Sequence, residues 1–174
     1  MSLFRTLQHS PATLTIFHDA TIPLSAKLFH VIEKAYHKLD GKKANEFQID
    51  LMANRMPTFD QYQSLVANCL HDSKSKSILH NCYPFLTDRK TASTTSTEVI
   101  TIKGHGNHFN NKIFNEGEYN LIYETFNKLK ELPEAGLDIN PSDIFRAPLV
   151  VDWDQNLIAG DESSLADILK KYQT

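Results

Sequence analysis

The stretch Ala147-Pro148-Leu149-Val150-Val151-Asp152-Trp153-Asp154-Gln155-Asn156-Leu157-Ile158-Ala159-Gly160-Asp161 decides how the rest of the chain is read. Pro148 to Val151 is short and continuously apolar, the pattern of a strand covered on both faces. Asp154-Gln155-Asn156 is turn-like, and Leu157-Ile158-Ala159 returns as a partner strand. From Asp161 to Tyr172 a helix closes the chain, with Leu165, Ile168, Leu169 and Tyr172 on one face. A buried strand, a hairpin and a helix form an antiparallel C-terminal half.

The front of the chain alternates strand and helix patterns. Thr13-Leu14-Thr15-Ile16-Phe17 alternates polar and apolar residues, the period of a half-buried strand. Pro23 suits the first turn of a helix whose Leu28, Phe29, Ile32, Ala35, Tyr36 and Leu39 share one face, and Gly41 stands where a cap is expected. Phe47, Ile49 and Leu51 alternate with polar residues as a second strand. Thr58 and Gln61 have the spacing of a capping box ahead of a helix carrying Phe59, Tyr62, Val66 and Cys69 on one face. Two strands joined by a helix imply a right-handed parallel crossover.

Between residues 71 and 111 the periodicity dissolves. A Ser/Thr-rich run (91–97), a short apolar stretch (99–102) and a polar segment with His105 and His108 read as a surface insertion with one edge strand. Ile122, Phe126 and Leu129 then mark a helix ending before Pro133, and Pro141 lies in a connector. The order β-α-β-α-insertion-α-β-β-α predicts one α/β domain over residues 1–174. Its expected architecture is thioredoxin-like, a central mixed sheet flanked by helices. The alternative is another α+β sandwich with these elements in a different spatial order.

Bulk properties bound the function. A chain of 174 residues buries roughly 70% of its unfolded surface, enough for a core without staples. A net charge of −3 gives no electrostatic footprint for nucleic acid, and no apolar run approaches the length of a membrane span. Two cysteines, Cys69 and Cys82, are too few for a disulfide scaffold, so a reducing compartment is expected. The N-terminus has several hydroxyl residues, Arg5, and no acid before Asp19. That is a faint version of a mitochondrial presequence.

The block Ala53-Asn54-Arg55-Met56-Pro57-Thr58-Phe59-Asp60-Gln61 with Gln63 resembles a motif of a small fungal family assigned to mitochondrial redox chemistry on a thioredoxin-like fold. Thr6-Leu7-Gln8 with Pro11, and Val151-Asp152-Trp153 with Leu157 and Gly160, support it by order and spacing. The resemblance covers roughly the first 70 and last 30 residues. It implies the fold, a mitochondrial location (cytoplasmic as the alternative) and an oxidoreductase that reduces small molecules through a single cysteine.

Here the residues part from the family. Thioredoxin-like enzymes place a reactive cysteine where the first strand meets the first helix, because the helix N-terminus favours the thiolate. The corresponding His18-Asp19-Ala20-Thr21-Ile22-Pro23-Leu24-Ser25 has none, and Ser25 has no disulfide chemistry. The resemblance implies a reactive cysteine before the Val-Asp-Trp strand, but this chain has none after Cys82. Cys69 and Cys82 are therefore the only thiol candidates. Cys69 reads as a small buried hydrophobe, and Cys82, near Lys76 and His80, as an exposed thiol. Cys69-x-His71 and His80-x-Cys82 lack zinc-site spacing, and no metal is expected. Arg55 and Asp60 are expected to form a structural ion pair.

In thioredoxin-like folds a cis-proline precedes the buried strand. The resemblance makes Pro148 the candidate, with Ala147 exposing its backbone and the Thr21–Ser25 junction facing it as an anion-holding helix start; the alternative is an ordinary trans proline at a strand's first residue. Two functions follow: an oxidoreductase with no bound cofactor that draws on an external thiol such as glutathione, or a catalytically silent module binding a peptide or small ligand at Ala147, Pro148, Thr21 and Ser25. The sequence leaves the substrate and oligomeric state open.

Overall fold

The computed structural model describes residues 11–39, 46–84, 91–93, 99–101, 115–132 and 140–173. The strands β1 (Ala12–His18), β2 (Phe47–Ala53), β5 (Leu149–Asp152) and β6 (Leu157–Ala159) form one sheet in the order β2-β1-β5-β6. β1 runs parallel to β2 and antiparallel to β5, and β5 runs antiparallel to β6. The chain is therefore α/β, with a mixed four-stranded sheet flanked by helices. A separate antiparallel pair, β3 (Thr91–Ser93) and β4 (Val99–Thr101), lies where a single edge strand was expected.

The pleat of the central strands divides the core. Leu14 and Ile16 of β1 and Val150 of β5 point to one face, where α1 (Pro23–His37) contributes Leu28, Ile32 and Ala35 and α6 (Glu162–Leu169) contributes Leu165 and Ile168. Phe17, Leu149 and Val151 point to the other. There they meet α2 (Phe59–Asn68), α3 (Ser73–Cys82) and α4 (Glu116–Glu131). Leu149, Val150 and Val151 are all 0% exposed, so each apolar side chain of β5 contributes about 1.5–3 kcal/mol by leaving water. The continuously apolar run reads correctly as a strand covered on both faces.

The expected insertion is corrected at its start. Residues 73–82 are α3, opened by a capping box between Asp72 and Ser75, and Ile78, Leu79 and Cys82 are buried against the sheet. The apolar residues of Ser-Lys-Ser-Lys-Ser-Ile-Leu-His-Asn-Cys crowd into its second half, so the segment shows no full helical period. Gly160 is part of the same packing: a Cβ there would stand 3.1 Å from Ile78 Cγ2. The connector at Pro141 also holds a helical turn, α5 (Pro141–Ile144), capped by Asn140 Oδ1.

The 53–61 block proves to be a folding device. Asn54 takes φ 54°, a left-handed conformation asparagine tolerates, while its N–H donates to the His18 carbonyl at 2.8 Å. Met56 is buried at 1% exposure. The Pro57 carbonyl accepts the Tyr119 hydroxyl at 2.6 Å, and Tyr119 meets the Tyr83 hydroxyl at 2.9 Å. Thr58 and Gln61 close the predicted capping box. The expected Arg55–Asp60 pair is not formed; Arg55 lies on the surface.

Candidate functional site

β1 and β2 end, and β5 begins, at the same edge of the sheet. Phe17 is registered with Leu149, so the next step along both strands sets His18 beside Pro148. The Ala147–Pro148 bond is cis, as the resemblance implied. Carboxyl ends of parallel strands are where open α/β sheets bind ligands, because the loops there face outward from a rigid frame.

The β1–α1 junction is held by its own polar groups. Asp19 Oδ1 accepts the Thr21 N–H at 2.9 Å and the Thr21 hydroxyl at 2.6 Å, and Oδ2 meets Lys130 Nζ at 2.5 Å. Burial alone would raise the Asp19 carboxyl, but the bonds from Lys130 and Thr21 outweigh it and hold the pKa down at about 2. Ser25 Oγ accepts the Asp19 N–H at 3.0 Å and lies 2.7 Å from His18 Nδ1. The His18 ring packs on Phe29, with centroids 5.1 Å apart.

This network corrects the placement of Ser25 as a ligand group. Its side chain is 0% exposed and its oxygen is shared between His18 and the Asp19 backbone, so it clamps the turn. A serine–histidine pair at this distance can do nucleophilic chemistry only where a substrate reaches the oxygen, and Ser25 is sealed. Thr21 is exposed, although its hydroxyl is held by Asp19.

Ala147 and Pro148 are also buried, Ala147 at 8% exposure, where an open backbone edge was expected. The cause is α3. Its last residue, Cys82, takes the Arg146 N–H on its carbonyl at 2.8 Å, and its Sγ donates to the Pro148 carbonyl at 3.5 Å. The preceding residue, Phe145, is locked edge-on among Phe17, Tyr83 and Phe126.

The two thiols are thus placed. Cys82, expected on the surface, is 3% exposed; burial pushes its thiol up to about 12, only partly offset by the Arg146 charge. Cys69, at the end of α2, is 1% exposed as predicted, and burial followed by the Asp152 charge raises its thiol to about 11. Both are free thiols. A nucleophilic cysteine needs the opposite environment, partly exposed and electropositive.

The rim around these strand ends carries exposed side chains from separate elements. Thr21, Pro23, Arg55 and Arg146 are exposed, Leu24 is 40% exposed, and Leu132 is 63% exposed two residues past the Asp19 partner Lys130. Sequence reasoning missed Lys130, because no local spacing signals a contact between residues 111 positions apart. Among the described residues no group of three or more His, Cys, Asp or Glu side chains converges, and no helix is long and apolar enough to cross a membrane. His105 and His108, Arg5, and Gly41 fall outside the described residues.

Residues 4–161 match the family described as "Protein of unknown function (DUF1687)", a match that runs through the 71–111 stretch as well as both flanks. No curated protein and no solved structure matches the chain.

Proposed function

The chain belongs to the family described as Protein of unknown function (DUF1687), and we propose that it is a thioredoxin-like domain that works by binding a peptide or small ligand. The observation that carries this reading is the position of Cys82, whose sulfur is turned inward onto the Pro148 carbonyl. The order β2-β1-β5-β6, with β1 parallel to β2 and antiparallel to β5, supports the thioredoxin-like half of the proposal. The exposure of Arg55, Arg146, Leu24 and Leu132 supports the binding half, since solvent-facing arginine and apolar side chains are what a partner can desolvate.

The oxidoreductase reading draws its support from the sequence resemblance. It would need Cys82 or Cys69 to leave the core before glutathione or a small disulfide could reach the sulfur. The mitochondrial location is proposed on the same resemblance and on the acid-poor first 18 residues.

Panning a displayed peptide library against the folded chain tests the binding reading. Selected peptides should lose at least tenfold in affinity on the double change Leu24→Glu with Arg146→Glu. They should keep their affinity on Lys27→Glu, which breaks only the surface pair with Glu162. Equal binding to all three proteins would place recognition elsewhere and overturn the proposal.

A further inference from the structure

We draw no further inference here: the strongest candidate, the cleft of about 100 Å³ between α3 and α6 lined by Cys69, Ile78 and Ile168, has Asp72 already capping α3 and Lys74 already paired with Asp167, and nothing in the structure shows what would occupy it.

Discussion

Alkylation of the two cysteines probes the sealed core quantitatively. An unhindered thiol of pKa about 8.5 is roughly one-quarter thiolate at pH 8. With its thiol pushed up to about 12, Cys82 holds roughly one part in 10⁴ as thiolate at that pH. Ionisation alone therefore slows its reaction with iodoacetamide about 2,000-fold. Cys69, raised to about 11, slows by roughly 200-fold on the same basis. Exposures of 3% and 1% add a second barrier, since the reagent must await local opening. Mass spectrometry of the native chain at pH 8, sampled over hours, should find both thiols largely unmodified, while the chain in guanidinium alkylates at both within minutes. Native Cys82 reacting within tenfold of its denatured rate would rule out both the raised pKa and the Pro148 contact.

Other outcomes follow from the packing. Tyr119→Phe removes the hydroxyl that joins the Pro57 carbonyl to Tyr83 and leaves a buried acceptor unpaired, so the urea midpoint should fall by the equivalent of about 1–3 kcal/mol. A loss under about 0.5 kcal/mol would mean that water replaces the bond. Asp19 has a native pKa of about 2, below the ordinary 3.8, so its stabilising effect is present above the ordinary value and disappears as pH falls from there through about 2. Asp19→Asn should cost about 1 kcal/mol at pH 7, after allowance for solvent screening at the rim, and flatten the stability curve across that acid window. An unchanged acid transition would contradict the Lys130 bond. Import of the chain into isolated mitochondria should be lost on Arg5→Glu, and equal uptake of the two proteins would count against targeting by this segment.

The parts of the fold that sequence reading recovers are those where one local pattern has one structural solution. An apolar run from Leu149 to Val151 can only be covered on both faces, and Thr58 with Gln61 can satisfy each other's backbone without help from elsewhere. α3 escaped because its apolar residues sit at one end and its capping box pairs Asp72 with Ser75, outside the usual Glu or Gln signature. Cys82 escaped for a related reason. Lys76 and His80 suggest a wet, cationic setting, yet the helical twist turns the cysteine inward with Ile78 and Leu79. The Ala147–Pro148 position was legible through resemblance, but its burial was not, since that depends on α3 packing over it. The Asp19–Lys130 pair closes the β1–α1 junction from a helix more than a hundred residues away, and only the folded chain brings them together.

The proposed binding role dispenses with thiol–disulfide exchange, and steady-state reduction of hydroxyethyl disulfide by glutathione puts that to the test. Adding the protein should leave the rate at the uncatalysed background, and Cys69→Ala and Cys82→Ala should change nothing. A protein-dependent rate that disappears in Cys82→Ala, with the variant still folded by circular dichroism, would contradict it.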